Sequence, residues 1–173
     1  MKNVLAYSGR LLAWIEPNIF KMYYELRSGD EVVATLQLKG VFKSTAVGES
    51  GEGSWTFERR GVLRHTVTIQ PEREGATPFE FKQTSWKGSG TVELKNGTSV
   101  LLTRRVWSSA FEWTTSTGEQ LVQFRMRGFF RRICEVEIRH KASYIQETPW
   151  LIMLAWYLTV MSRRDSARHA ASG

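Results

Sequence analysis

Apolar and polar side chains alternate along short stretches of this chain, and turn residues separate the stretches at intervals of about ten residues. In the stretch 20–27 every second residue is apolar, beginning with Phe20. A turn at 28–30 joins it to a second strand-like stretch at 31–38. Because the side chains of a β-strand point alternately to opposite faces, this pattern predicts a hairpin with Phe20 on the apolar face of its first strand.

Two further turns predict hairpins of the same kind. Asn96-Gly97 is the stronger signal, because both residues tolerate positive φ, and Thr117-Gly118 lies between two more strand-like stretches. Alternating stretches at 54–58 and 63–69 bring the total to about a dozen strands. No helical pattern lies between them, which disfavours parallel crossover connections. The sequence therefore predicts consecutive antiparallel strands.

The stretch Trp150–Met161 is apolar around its whole circumference and predicts a helix. At a rise of about 1.5 Å per residue it spans about 18 Å, well short of the roughly 30 Å hydrocarbon core of a bilayer. A sheet of about twelve strands should close on itself, and a barrel that wide needs a plug. We therefore predict a mainly β protein, a closed antiparallel barrel of about 12 strands that encloses one carboxy-terminal hydrophobic α-helix.

The whole pattern fits one domain. We expect residues 1–164 to form the barrel, with its central helix at 149–164, and the small polar residues at 165–173 to form a flexible tail. The chain of 173 residues has a formal net charge of +7, which favours anionic partners such as phospholipid headgroups. A single cysteine, Cys134, and the absence of an apolar secretory run near the amino terminus predict a cytoplasmic protein.

Consecutive antiparallel strands followed by the apolar run Pro-Trp-Leu-Ile-Met-Leu-Ala-Trp-Tyr-Leu at 149–158 resemble the tubby-like superfamily. This superfamily includes tubby carboxy-terminal domains, plant LURP-one-related proteins and phospholipid scramblases, and the chain is most similar to small bacterial members of unassigned function. The resemblance implies a twelve-stranded barrel around the helix, and the tubby branch binds phosphoinositides. Aspartate occurs only at Asp30 and Asp165, so no acidic cluster matches the calcium-binding segment proposed for scramblases.

A five-residue pattern, basic-Gly-apolar-apolar-basic, occurs three times, at 39–43, 60–64 and 127–131. If the segments are extended, their two apolar residues cannot both point inward, so one of each pair is a candidate for exposure. Exposed apolar residues ringed by Lys and Arg suit an anionic membrane surface. The candidate lipid-binding residues are Lys39, Phe42, Lys43, Arg60, Arg64, Arg127, Phe129, Phe130 and Arg131. The plainer alternative is that these corners are turns whose apolar residues cover the ends of the helix.

The sequence contains no motif that indicates catalysis. Cys134 is in phase with Val136 and Ile138, which predicts a buried and unreactive thiol. The three histidines have no partners at metal-ligand spacing, and neither a nucleophile elbow nor a phosphate-binding loop is present. Basic doublets alternate with aromatic residues, but no nucleic-acid-binding motif accompanies them. We expect no catalytic residues, no metal, no cofactor and no nucleic-acid partner.

These observations favour a non-enzymatic binding module that docks to anionic phospholipid or phosphoinositide surfaces, as a cytoplasmic protein peripheral to the inner membrane face. Two alternatives stay open. One is a structural or protein-interaction domain without a lipid ligand. The other is a scramblase-like membrane protein with the stretch Trp150–Met161 in the bilayer. The sequence does not fix which of the three corners share one end of the barrel.

Overall fold

The computed structural model describes residues 1–18, 20–40, 44–60, 66–85, 88–104, 109–128 and 133–171. Within these ranges the chain forms twelve strands, β1 (Leu11–Asn18), β2 (Tyr23–Ser28), β3 (Glu31–Leu38), β4 (Thr45–Ser50), β5 (Gly53–Arg60), β6 (Thr66–Pro71), β7 (Phe79–Gln83), β8 (Gly90–Glu93), β9 (Ser99–Arg104), β10 (Ala110–Thr115), β11 (Gln120–Arg127) and β12 (Ile133–Ile138). The helix α1 (Thr148–Ala171) follows them. Short 3-10 helices lie at Val4–Tyr7 and His140–Tyr144.

The twelve strands form one closed antiparallel barrel in which neighbours along the chain are neighbours in space. The first and last strands complete the closure, with Trp14 of β1 opposite Cys134 of β12. Closure leaves no strand edge unpaired, which is how a large sheet avoids edge-to-edge association. The predicted fold class, a twelve-stranded antiparallel barrel with a carboxy-terminal helix, is confirmed.

The predicted hairpin turns are confirmed by their backbone geometry. Gly29, Gly97 and Gly118 have φ values of 59°, 79° and 86° and connect consecutive antiparallel strands. Residues with a Cβ pay a steric penalty in this left-handed region, so glycine makes these tight reversals possible. The turn chemistry read from the sequence therefore determines where these strands reverse.

The first part of α1, residues 148–161, is buried within the barrel. Trp156 stacks on Trp14 of the wall with ring centroids 6.0 Å apart, and the indole N–H of Trp113 donates to the carbonyl of Leu151 at 2.8 Å. A helix that is apolar on every side must be surrounded by apolar side chains, and here the inner faces of the strands supply them. The helix and the barrel thus bury each other's apolar surface.

The predicted end of the helix at Arg164 is wrong, because α1 continues for seven more residues to Ala171. The remaining part, 162–171, is half-buried at 163–165 and otherwise exposed, and it includes the basic pair Arg163-Arg164. Polar composition alone had suggested a tail, but Ala and Arg are good helix formers and an existing helix extends easily. The segment 165–171 is therefore a continuation of the central helix, beyond the apolar part of the barrel.

The two ends of the barrel are distinct, and we call them the upper and lower rims. The upper rim consists of the carboxyl ends of the odd-numbered strands and the starts of the even-numbered strands, and the lower rim of the opposite ends. Helix α1 begins at the lower rim, where the Lys95 N–H donates to Glu147 Oε1 at 3.3 Å. It leaves at the upper rim, where Arg59 at the end of β5 binds Asp165.

Candidate functional site

The strands that precede the three basic corners all end at the upper rim. The strands that precede them, β3, β5 and β11, are odd-numbered, and their carboxyl ends therefore meet at the same end of an antiparallel barrel. Gly40 and Gly128, which follow β3 and β11, have φ values of 88° and 82°. Both values lie in the left-handed region that glycine permits, and the strand order places these two glycines at one rim although they are 88 positions apart in sequence.

Three of the candidate lipid-binding residues are described, and all three are exposed: Lys39, Arg60 and Arg127. Arg60 pairs with Glu58 at 3.2 Å and Arg127 pairs with Glu135 at 2.9 Å, so part of their charge is neutralised on the protein surface. Lys39 makes no ion pair with any described residue. The other six candidates, Phe42, Lys43, Arg64, Phe129, Phe130 and Arg131, lie outside the described residues.

Sequence reasoning missed Phe20, which belongs to the upper rim. β2 begins at Tyr23, and Phe20 lies before it in the β1–β2 turn with 88% of its surface exposed. The alternation that predicted Phe20 on an apolar strand face is broken at Met22, whose φ is 48°. A left-handed residue interrupts the extended backbone, so the alternation of β2 does not continue back to Phe20. Only the backbone conformation reveals this exposure.

The turn also places a basic residue beside Phe20. Lys21 is exposed, and the carbonyl of Met22 accepts the N–H of Leu38 at 3.1 Å, which ties the turn to the end of β3. Lys39 follows directly in the chain. Two lysines without ion-pair partners among the described residues therefore lie at the part of the rim that exposes Phe20.

Further positive charge enters the upper rim with the helix. Arg163, Arg164 and Arg168 lie on the part of α1 that leaves the barrel. The guanidinium of Arg163 lies 5.3 Å from the centre of the Trp156 ring. Its aliphatic chain therefore covers the end of the buried aromatic cluster, while its charge stays near the mouth of the barrel, which is the opening at the upper rim. The Asp165 carboxylate is committed to Arg59 at 2.6 Å.

Inside the mouth, Arg104 links β9 to the helix. Its Nη2 donates to the carbonyl of Ala155 at 3.0 Å and to the hydroxyl of Thr159, and its guanidinium lies 4.1 Å above the ring of Phe111. Burial lowers the pKa of Arg104 to about 10, so it keeps its charge at neutral pH. No carboxylate within the described ranges pairs with it. Arg104 therefore adds a positive charge to the mouth while fixing the position of α1.

Cys134 faces the interior close to Arg104, and its side chain is completely buried. Burial raises the pKa of this thiol to about 12, with the nearby Arg104 acting in the opposite sense. The thiolate, which is the nucleophilic form, is thus disfavoured at neutral pH. The predicted buried position of Cys134 is confirmed. Among the described residues, no three His, Cys, Asp or Glu side chains form a group that could hold a metal ion.

The amino-acid composition of the segments that connect the strands at the upper rim is also positively charged. Residues 19, 41–43, 61–65, 86–87, 105–108 and 129–132 lie outside the described residues, and together they contain six Lys or Arg and no Asp or Glu. Their amino acids also include Phe, Trp, Leu, Ile and Val. The composition of the connections therefore agrees with the basic and apolar character of the described part of the rim.

The lower rim carries both signs of charge, and its basic residues include Lys2, Arg73, Lys95 and Lys141. Carboxylates lie in most of its turns, at Asp30, Glu31, Glu52, Glu72, Glu74, Glu93, Glu119 and Glu147. Glu31 accepts the Tyr7 hydroxyl and pairs with Lys2 at 2.8 Å, and Lys141 pairs with Glu119. The bonds from Lys2 and Tyr7 lower the pKa of the Glu31 carboxyl, so it is ionised at neutral pH. The lower rim thus mixes carboxylates with basic groups, whereas the described turns of the upper rim contain basic residues and no carboxylate.

Comparison of the chain with protein-family models, with curated proteins and with solved structures finds no match. In the part of the chain that the structure describes, no helix has the length and apolar character needed to cross a membrane. The twelve-stranded barrel around a carboxy-terminal helix is compatible with a tubby-like fold.

Proposed function

We propose that this protein is a non-enzymatic binding module that docks to anionic phospholipid surfaces with its upper rim. The observation that carries the proposal is the distribution of carboxylates along the barrel axis. The described turns of the upper rim carry Lys21 and Lys39 and no carboxylate, and Arg163 adds charge there, whereas the turns of the lower rim mix carboxylates with basic residues. A basic surface near an anionic bilayer gains about 1 kcal/mol per Lys or Arg. Several such residues on one rim are needed for useful affinity.

We also propose a cellular location and a family for this protein. Anionic lipids are concentrated in the cytoplasmic leaflet, so the protein would act as a peripheral protein at the inner membrane face. Membership of the tubby-like superfamily is part of the same proposal, and what supports it is the closed barrel of twelve strands around a carboxy-terminal hydrophobic helix. Phosphoinositides are one class of anionic lipid that this analogy suggests.

A protein-interaction domain without a lipid ligand is the second candidate. The ion pairs Arg60–Glu58 and Arg127–Glu135 favour it, because they neutralise two of the three described corner residues within the protein itself. Lys21 and Lys39 have no such partners among the described residues, so their charges are not neutralised by an ion pair there. For this reason we favour the lipid surface over a protein partner.

Equilibrium co-sedimentation with vesicles distinguishes the two candidates. We expect the protein to bind vesicles of phosphatidylserine and phosphatidylcholine, and not vesicles of phosphatidylcholine alone. Binding should weaken as ionic strength rises from about 0.01 M to about 0.15 M, because the Debye length falls from about 30 Å to about 8 Å. No association with the anionic vesicles at the lowest ionic strength would exclude the lipid-docking function and favour the protein-interaction domain.

A further inference from the structure

We propose that Phe20 enters the interfacial region of the bilayer when the upper rim docks, and that it forms an apolar anchor beside Lys21 and Lys39. This inference rests on the proposed lipid-docking function and adds to it a defined point of insertion. Among the described residues Phe20 is the most exposed of the large hydrophobic side chains, at 88%. Single exposed apolar residues are common on protein surfaces, so exposure is only the first step.

The β1–β2 turn around Phe20 is held by specific hydrogen bonds. The side-chain oxygen of Asn18 accepts the N–H of Phe20 at 2.9 Å, and the carbonyl of Asn18 accepts the N–H of Lys21 at 3.2 Å. Met22 takes a left-handed conformation, which is costly for a side chain with a Cβ, and packs against the core. The fold therefore accepts backbone strain in a conformation that leaves a phenyl ring in water.

Basic residues lie on both sides of the turn that carries the Phe20 ring. Lys21 precedes the strained residue and Lys39 follows the strand end to which the turn is bonded. An aromatic ring flanked by lysines matches the interfacial zone of an anionic bilayer, where the ring reaches the acyl boundary and the ammonium groups meet phosphates. Two other large hydrophobic residues at strand ends are exposed. Ile133, which is 46% exposed, begins β12 at the upper rim, whereas Leu11 begins β1 at the lower rim and pairs in register with Glu137. Leu11 is 63% exposed and is the natural control.

Two components of binding follow, one that depends on salt and one that does not. Replacing the ring with a small polar side chain, Phe20→Ser, should lower the vesicle partition coefficient about tenfold, equivalent to about 1.4 kcal/mol. The salt dependence should be unchanged, because the number of basic groups is the same. The matched substitution Leu11→Ser should leave the partition coefficient within about twofold of the original, since the lower rim faces away from the bilayer.

A site-specific probe tests insertion directly. Cys134 is buried and unreactive, so Phe20→Cys or Leu11→Cys introduces one thiol that can be labelled with a polarity-sensitive fluorophore. The labelled proteins are mixed at low ionic strength with phosphatidylserine–phosphatidylcholine vesicles that contain brominated acyl chains. Labelled original protein measures any reaction at Cys134, and co-sedimentation of the same samples measures docking.

We expect a blue shift and bromine quenching at position 20 and neither at position 11. Vesicle binding without a shift at position 20, or with equal shifts at both positions, would overturn insertion by Phe20 while leaving lipid docking intact. Failure of both labelled proteins and the original chain to co-sediment would instead reject the docking function, and the inference with it. The two failures are therefore distinguishable in a single set of samples.

Discussion

Arg59 and Asp165 join the wall of the barrel to the emerging helix through an ion pair with an Nη1–Oδ2 distance of 2.6 Å. The Arg59 side chain is only 8% exposed, whereas that of the neighbouring Arg60 is 65% exposed. Adjacent strand residues face opposite sides of a sheet, so one arginine points into the mouth and the other points to solvent. Arg59, which points inward, anchors α1 by pairing with Asp165. Asp165 is the only acidic residue in the described part of the helix.

Removing the charge of Asp165 should destabilise the protein. Asp165→Asn should lower the free energy of unfolding by about 1 to 3 kcal/mol, because it leaves the buried Arg59 guanidinium without its anionic partner. Glu58→Gln is the matched control at the exposed pair with Arg60, and it should change stability by less than about 0.5 kcal/mol. Urea denaturation of the two variants measures both values. Equal effects would show that the pair with α1 has no special structural importance.

The aromatic contact between the helix and the wall should contribute much more. Trp156 is fully buried, stacks on Trp14 and meets Tyr24 edge to face at 5.7 Å. Trp156→Ala should therefore cost about 3 to 5 kcal/mol, through lost burial and the cavity it leaves. Tyr144→Ala, at a residue that is 75% exposed, should be close to neutral. Thermal and urea unfolding test the difference, and a mild effect of Trp156→Ala would argue against a tightly packed helix.

Gly48 allows the helix to approach the wall closely, and Gly90 allows β8 to approach the neighbouring strand β7. A Cβ at Gly48 would lie 2.6 Å from the sulfur of Met153, and a Cβ at Gly90 would lie 2.4 Å from the carbonyl oxygen of Lys82. Methionine can move aside, but a backbone carbonyl in a strand cannot. We expect Gly48→Ala to destabilise by about 1 to 3 kcal/mol and Gly90→Ala by more. Chemical denaturation would contradict this packing if Gly90→Ala were the milder change.

Stability should fall between about pH 9 and 10 because of Cys134. The ordinary thiol pKa is 9.0, as in the unfolded chain, and burial raises it to about 12 in the folded protein. In this range the unfolded thiol loses its proton while the folded one keeps it, so the free energy of unfolding falls by at most about 1.4 kcal/mol per pH unit. Above this range Arg104, whose pKa is lowered to about 10, begins to titrate in the opposite sense.

Urea denaturation across this pH range gives the slope. Cys134→Ala should flatten it, whatever its effect on stability at neutral pH. A slope that is equally steep without the thiol would assign the pH dependence to other groups. The same buried position predicts that a thiol reagent modifies Cys134 only at the rate at which the protein unfolds.

The strands and the buried helix could be predicted because their signals are local. Period-two alternation defines a strand face, Asn96-Gly97 defines a reversal, and an all-apolar run such as Trp150–Met161 must be enclosed. The position of Phe20 could not be predicted in this way, since the alternation runs through Met22 without interruption. Its exposure depends on one left-handed residue and on the side-chain bond of Asn18.

The common rim could not be predicted either, for a topological reason. Two corners lie at the same end of a meander only if an even number of strands separates them, so one strand more or less reverses the result. An estimate of about a dozen strands is not precise enough to decide this, because the number must be known to within one strand. Gly40 and Gly128 are brought to one rim by the eight strands, β4 to β11, that lie between them.

Charge reversal at the two rims shows whether the upper rim is the surface that docks to the bilayer. Lys21→Glu with Lys39→Glu changes the upper rim, and Arg73→Glu with Lys95→Glu makes the same change in net charge on exposed residues of the lower rim. In co-sedimentation with phosphatidylserine–phosphatidylcholine vesicles, we predict that the upper-rim variant binds at least about thirtyfold more weakly and that the lower-rim variant changes by less than about threefold. Equal losses in the two variants, or a greater loss in the lower-rim variant, would contradict docking through the upper rim.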